Sequence, residues 1–356
     1  MERYKARLCV RGFEQRAGVD FHEVFAPTSG KVAQRAFLTY AALMDYEVQQ
    51  VDIKTAFLNA EVNEDIYIRI LEGLRDEREL NKQPNLVLKL EKSLYGLKQA
   101  PRMCDPPLTK TLKRELGFQC NPVDDTILKC KHQKTGKECF ILIYVDDLLV
   151  AAQDIDTTQS IIDTICSHYD ARDLGTASFF CGMKINRDRN KRLIYLSEPH
   201  KIQKLISQFN MHHCETKKIP LDVVLTAEND GEFCDTTEYQ VLVGSLLYLS
   251  TTTRPDLCQA ASQLSRFMAN PTRTHLKAAK GVLKYLKATV NYGLCLGNRL
   301  DILPDDIELP IDTFNLTGYC DADFATDKQT RKSRTGYVFL LNGSLLSWQS
   351  KLQPTV

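Results

Sequence analysis

Four residues, Tyr144-Val145-Asp146-Asp147, separate two apolar runs, Phe140-Ile141-Leu142-Ile143 and Leu148-Leu149-Val150-Ala151-Ala152. Each run has the length and β-rich composition of a buried strand. Adjacent carboxylates amid so much hydrocarbon are costly unless something cationic offsets them. On a straight strand the two would point to opposite faces. A tight hairpin turn brings both near one point. The sequence therefore predicts a hairpin whose corner can hold a divalent metal.

A second carboxylate strengthens that reading. Residues 31–48 read as a helix leading to a strand near 48–53, and Asp52 closes that strand ahead of Ala56-Phe57-Leu58. Phosphoryl transfer to a hydroxyl nucleophile commonly uses two divalent ions ~3.5–4 Å apart, which clamp the attacking and leaving oxygens. Such a pair needs carboxylates converging from different strands, and Asp52 with Asp146 and Asp147 would supply them. An aromatic-x-Asp-Asp alone also suits a surface turn. The apolar flanks on both sides and the strand-end aspartate argue against a mere turn.

The remaining pattern is mixed. Short strands are expected at 64–71 and 85–90, a turn at Tyr95-Gly96-Leu97, and helices at 107–117 and 157–168. A β pair at 179–186 and 193–196 precedes a helix at 198–208. Few large apolar residues and several acids mark 220–238 as a linker, with helices following at about 239–250, 255–269 and 274–289. A second acidic loop, 300–313, leads to a new sheet that begins at Leu316.

Composition bounds the class. A chain of 356 residues can build two or three cores. No apolar run approaches ~18 residues and no signal-peptide pattern opens the chain, so the expectation is an intracellular, soluble protein with no membrane partner. The twelve cysteines include no C-x-x-C, which argues against a zinc ribbon, and His212-His213-Cys214 reads as an ordinary loop. A net charge of +1 conceals blocks. Residues 257–300 hold no acid but carry Arg266, Arg273, Lys277, Lys280, Lys284, Lys287 and Arg299. On the helix at 274–289, Leu276, Ala279, Leu283 and Leu286 form one stripe and Lys277, Lys280, Lys284 and Lys287 another. That basic stripe is either a solvated face or, with Arg273, a surface for nucleic acid.

The blocks along the chain resemble copia-type retrotransposon reverse transcriptases. Lys5-Ala6-Arg7-Leu8, Gly12-Phe13-Glu14-Gln15 and Phe25-Ala26-Pro27 match the opening blocks of that family. Val51-Asp52-Ile53-Lys54-Thr55-Ala56-Phe57, Ser93-Leu94-Tyr95-Gly96-Leu97-Lys98-Gln99-Ala100-Pro101-Arg102 and Tyr144-Val145-Asp146-Asp147 follow in order. Gly244-Ser245-Leu246-Leu247-Tyr248-Leu249, Thr253-Arg254-Pro255-Asp256 and Tyr319-Cys320-Asp321-Ala322-Asp323 continue the match.

The resemblance implies an α+β right-hand polymerase with fingers, palm and thumb, then a connection region and a truncated ribonuclease H-like α/β domain. The expected divisions are 1–170 for fingers and palm, 171–220 for palm end and thumb, 221–312 for connection, and 313–356 for the start of the ribonuclease H-like part. Asp52, Asp146 and Asp147 would be catalytic and would bind Mg²⁺, with Mn²⁺ as a substitute. Arg7, Lys5, Phe57, Gln99, Arg102 and Tyr144 would contact the nucleotide, Phe57 as the aromatic that excludes a 2′-hydroxyl. Phe57 also suits core packing. Asp321 would be the first ribonuclease H carboxylate. The implied partners are an RNA template, a DNA primer, deoxynucleoside triphosphates and other parts of a Pol polyprotein, in a cytoplasmic virus-like particle or the nucleus.

Departures from the family pattern set further expectations. Met1-Glu2-Arg3 stands where the family has an earlier fingers strand, and Met103-Cys104-Asp105-Pro106-Pro107 where it has an aromatic. Two prolines suit only the first turn of a helix. The chain ends at Val356, ahead of the ribonuclease H glutamate block, so no hybrid cleavage is expected. The competing function is an inactive remnant that binds nucleic acid. A metal-dependent nuclease is a third class.

Overall fold

A computed structural model describes residues 6–70, 86–223, 225–226, 232–298, 314–327 and 330–355. Lys5 and the acidic segment 300–313 lie outside the described residues. The chain divides into two compact units, one of Met1–Gly30 with Tyr46–Ala177, the other of Lys31–Asp45 with Ser178–Val356. Helix α1 (Lys31–Leu43) thus belongs to the second unit although its neighbours in sequence belong to the first. Among the described residues no helix is long and apolar enough to cross a membrane.

The first unit is built on an antiparallel sheet. Its strands are β1 (Glu47–Ile53), β4 (Gln119–Cys120), β5 (Ile127–Lys131), β6 (Glu138–Tyr144), β7 (Asp147–Ala152) and β8 (Ala171–Thr176), while β2 (Tyr67–Arg69) and β3 (Val87–Lys89) form a separate pair. The order is β4-β5-β6-β7-β1-β8, which sets β1 between the hairpin strand β7 and β8. The period-2 alternation of strands decides the two faces. Val51 and Ile53 of β1, Leu148, Val150 and Ala152 of β7, and Cys139, Ile141 and Ile143 of β6 share one buried cluster. Helices α2 (Ala100–Leu116) and α3 (Ile155–His168) cover that face with Leu108, Leu112, Ile161, Ile162 and Ile165. Burying one such side chain contributes about 1.5–3 kcal/mol. Gln50, Asp52 and Asp147 are out of phase with this set and lie on the opposite face.

Helix α2 starts seven residues before its expected beginning. Gln99 is its N-cap and Pro101 occupies the first turn, the position where a missing N–H costs nothing. Pro106 and Pro107 therefore fall in the second turn, not the first. They have no N–H to offer the carbonyls of residues 102 and 103. The Tyr169 hydroxyl donates to the Pro107 carbonyl at 3.0 Å and lies 2.9 Å from Thr111 Oγ1, which ties this helix to the segment after α3.

The second unit holds two sheets and a helical core. Strands β9 (Phe179–Phe180), β10 (Met183–Asp188), β11 (Leu193–Ser197) and β12 (Gly293–Gly297) form one sheet in the order β12-β11-β10-β9. Helices α4 (Pro199–Gln208), α5 (Thr236–Thr252), α6 (Cys258–Leu264) and α7 (Arg273–Ala288) pack around Leu242, Leu246, Leu264, Val282, Leu283 and Leu286. The apolar stripe expected on α7 is the side it buries. Strands β13 (Leu316–Ala322), β14 (Arg334–Leu341) and β15 (Ser344–Leu352) form an antiparallel meander.

A buried arginine links α1 to this unit. Arg35 stacks on the Trp348 ring at 3.9 Å and donates to the carbonyls of Leu346, Thr251 and Thr252. The last two are orphan carbonyls at the end of α5, where a cation also meets the negative end of the helix dipole. Burial lowers the Arg35 pKa to about 10.

Candidate active site

The carboxylate corner lies at one end of β1, β6 and β7. Tyr144 and Asp147 are register partners, so the β6–β7 turn consists of Val145 and Asp146 alone. Asp52 is the register partner of Asp147 across β1–β7. Directly opposed residues project from the same face of a sheet, so Asp52 and Asp147 stand side by side. The Ile53 amide donates to the Asp146 carbonyl at 2.8 Å, which fastens the turn to the end of β1. All four residues of Tyr144–Asp147 and Asp52 are half-buried.

Two β-branched residues hold uncommon backbone at this corner. Val145 has φ +59° and Thr55 has φ +53°. A side chain branched at Cβ is strained in that region, at a cost of about 1–3 kcal/mol per residue. The two lie where the chain turns between the hairpin strands and where it leaves β1.

The electrostatics are those of gathered acid. Burial raises the Asp147 pKa first, and the charge of Asp146 raises it further, with Asp52 adding to both. The Gln50 amide, 3.4 Å from Asp147 Oδ1, pulls the other way. No cation figures among these influences. Hard carboxylate oxygens suit Mg²⁺ or Mn²⁺, and a divalent ion would offset this repulsion, so the donor set fits that kind of cofactor. The side chains are not closed into a cage: among the described residues no three His, Cys, Asp or Glu side chains converge to hold an ion.

Other expected site residues divide into two groups. Phe57 and Arg7 meet at Tyr95. The Phe57 and Tyr95 rings are edge-on at 4.8 Å and 82°, and the Arg7 guanidinium lies 5.7 Å from the Tyr95 ring centre. Burial raises the Tyr95 pKa, Asp146 raises it further and Asp52 adds to that, while Arg7 opposes them. Tyr95 thus touches both Arg7 and Phe57 and feels the charges of Asp146 and Asp52. It was not among the residues singled out from sequence, where Tyr95-Gly96-Leu97 reads simply as a turn.

Gln99 and Arg102 are engaged elsewhere. Gln99 is fully buried, accepts from Gln15 Nε2 at 3.1 Å and donates to the Asp20 carbonyl at 2.9 Å. Arg102 pairs with Glu23. The cleft they line, about 720 Å³, also carries Glu61 and Glu64. Its lining mixes these glutamates and Glu23 with Arg102 and Lys110.

In the second unit, helix α7 carries Arg273, Lys277, Lys280, Lys284 and Lys287. Acids absent from the neighbouring sequence reach it in space: Glu232 pairs with Arg273 at 3.0 Å and Glu238 with Lys280 at 2.8 Å. Lys287 donates to the carbonyls of His212 and Cys214 at 2.6 and 2.7 Å. Asp321 is exposed on β13 opposite Gly336. Asp323 accepts from the Arg334 amide and Thr326 Oγ1, which holds its pKa below the usual carboxylate value and commits it to the turn.

An antiparallel sheet thus sets Asp52 and Asp147 side by side next to the Val145-Asp146 turn, and sequence comparison gives the family of the chain. The family described as reverse transcriptase (RNA-dependent DNA polymerase) matches residues 1–223, and the chain belongs to it. It is 38% identical over 363 residues to the retrovirus-related Pol polyprotein from transposon TNT 1-94 of Nicotiana tabacum, covering 99% of this chain and 26% of that polyprotein. It is 34% identical over 360 residues to the corresponding polyprotein from transposon RE1 of Arabidopsis thaliana, covering 100% of this chain and 23% of that one. A Saccharomyces cerevisiae protein named for transposon Ty5-1 is 34% identical over 303 residues, 85% of this chain and 92% of its own length. The chain spans about a quarter of the two plant polyproteins.

Proposed function

We propose that the chain extends a DNA primer along an RNA template, adding deoxynucleotides at the corner formed by Asp52, Asp146 and Asp147. The observation that carries this reading is the direct opposition of Asp52 and Asp147 beside the Val145-Asp146 turn. A primer 3′-hydroxyl attacks the α-phosphate of a bound deoxynucleoside triphosphate and pyrophosphate leaves. Bound at this corner, Mg²⁺ or Mn²⁺ would screen the negative charge that gathers on the transferring phosphoryl group. Asp52 and Asp146 are the residues that would hold it, with Asp147 in support. Arg7 lies 5.7 Å from the centre of the Tyr95 ring and would meet the triphosphate, because a guanidinium fork matches phosphate oxygens. Phe57 would exclude a ribose 2′-hydroxyl.

In this reading residues 1–170 serve as fingers and palm, 171–220 as palm end and thumb, 221–312 as connection, and 313–356 as a ribonuclease H-like part carrying Asp321. Lys277 and Lys284, which have no carboxylate partner among the described residues, are the lysines of α7 best placed to meet a phosphate backbone. The open arrangement of the three carboxylates favours one alternative, a remnant that binds nucleic acid without turnover. Primer extension on an RNA template, with Asp146→Asn as control, separates the two. Magnesium-dependent product that the control lacks supports the polymerase. Salt-sensitive binding of an RNA–DNA hybrid without product supports the remnant.

A further inference from the structure

We propose that Tyr95 is a positioning residue of the nucleotide site, fixing Phe57 at the angle from which it discriminates sugars and holding Arg7 toward the carboxylate corner. The inference rests on the polymerase reading and adds to it the residue that sets specificity.

The backbone delivers Tyr95 to this place. Cys9 and Tyr95 form a parallel bridge, with the Val10 amide donating to the Tyr95 carbonyl at 2.7 Å. The two segments lie too close for side chains between them. A Cβ on Gly96 would sit 2.1 Å from the Val10 carbonyl oxygen, and one on Gly12 1.9 Å from the Gly96 oxygen. Gly96 also has φ +94°, which only glycine takes without strain. Arg7 and Tyr95 are therefore brought together by main-chain packing, two residues from the bridge on one side and at the bridge on the other.

The ring then does two things. Phe57 packs along two apolar clusters, the sheet core with Val51 and Ile53 and a smaller one with Leu97 and Ala100, and the Tyr95 edge adds an aromatic contact to it. An aromatic can exclude a 2′-hydroxyl only if it cannot rotate away, and the Tyr95 edge, at 4.8 Å and 82°, adds to the packing that opposes that rotation. Its hydroxyl remains protonated at neutral pH, shielded by burial and held there by the charges of Asp146 and Asp52. It is thus a neutral polar neighbour of Arg7, not a competing anion. Within the block from Ser93 to Arg102, Tyr95 contacts Phe57 and Arg7, while Gln99 is spent on Gln15 and Asp20.

The test is single-nucleotide incorporation by the full chain on an RNA template, comparing dATP with ATP. Tyr95→Phe keeps the ring, so discrimination against ATP should stay within about twofold while the KM for dATP rises as Arg7 loses the polar hydroxyl near it. Tyr95→Leu removes the edge contact, so discrimination should fall about fivefold to tenfold, with kcat for dATP far less affected. Equal losses for dATP and ATP in Tyr95→Leu would mean a merely structural tyrosine and overturn the proposal. Failure of the wild type to extend at all would count against the polymerase reading instead. Calorimetric titration of dATP and ATP in Mg²⁺ then decides the role of Tyr95 without turnover. A lower preference for dATP in Tyr95→Leu supports it, and an unchanged preference refutes it.

Discussion

Asp52 and Asp147 face each other as the last cross-strand pair of β1 and β7 before the chain turns. Two carboxylates on one face of a sheet, with Asp146 next to one of them, resist folding unless a cation or a proton relieves them. Burial and this repulsion raise the Asp147 pKa above its ordinary 3.8. A carboxyl raised in the folded state binds more protons there than when unfolded. Stability is therefore lost as pH climbs from the unfolded value through the raised folded one. Asp147→Asn should melt higher than the wild type at pH 7, and the gap should close as the pH falls below ~4. Added Mg²⁺ should raise the wild-type Tm more than that of the variant. Parallel melting curves across the pH range would contradict this account of the corner.

Gly96 answers to backbone, not to a flexible side chain. Its added Cβ would strike the Val10 carbonyl oxygen at 2.1 Å. Gly96→Ala should cost more than ~3 kcal/mol, because the steric clash adds to the strain of positive φ. Urea unfolding measures the loss, and limited proteolysis should cut first in the segment before residue 30. A stability within ~0.5 kcal/mol of the wild type would show that the two segments can separate at no cost.

Thr55 offers the opposite case. It is exposed, has φ +53°, and makes no side-chain cap bond to the short helix that follows it. Asparagine tolerates this region far better than a β-branched residue. Thr55→Asn should stabilise the first unit by about 0.5–1 kcal/mol in urea unfolding. A lower midpoint than the wild type would mean that the threonine makes a contact the backbone argument overlooks.

Lys280 spends its charge on Glu238. Glu238→Gln should release it, so hybrid binding should tighten and the slope of log affinity against log salt should steepen by about one. Lys277→Gln and Lys284→Gln should each flatten that slope by about one. Identical slopes in all three variants would remove α7 from the nucleic-acid surface.

Much of this architecture is legible in the residues themselves. The hairpin at 138–152 follows from apolar runs that only a buried sheet satisfies, and the buried side of α7 follows from its apolar stripe. Strand β8 escapes such reading because Ala171–Thr176 mixes charge with Gly175 and earns its place only by pairing with β1. Strand β12 begins and ends in glycine and carries no strand pattern of its own; it pairs closely with β11, where a Cβ at Gly293 would lie 2.0 Å from the Leu196 carbonyl oxygen. The sequence predicts the start of α2 at the Pro106-Pro107 pair because local propensity weighs prolines without knowing which turn they occupy. The acids that neutralise part of α7 come from Glu232 and Glu238, some forty residues away. Tyr95 is the clearest case at the site itself. Its chemistry depends on a bridge to Cys9 that no local pattern announces.

The most direct measurement of the central claim is magnesium-dependent single-turnover extension of a DNA primer on RNA by the wild type, Asp52→Asn and Asp146→Asn. The two aspartates are far apart in sequence and meet only if the fold is right. Both variants should lose about 10²–10³-fold in rate while still binding the hybrid. Wild-type extension that Asp52→Asn leaves intact would contradict the claim that this corner performs nucleotide addition.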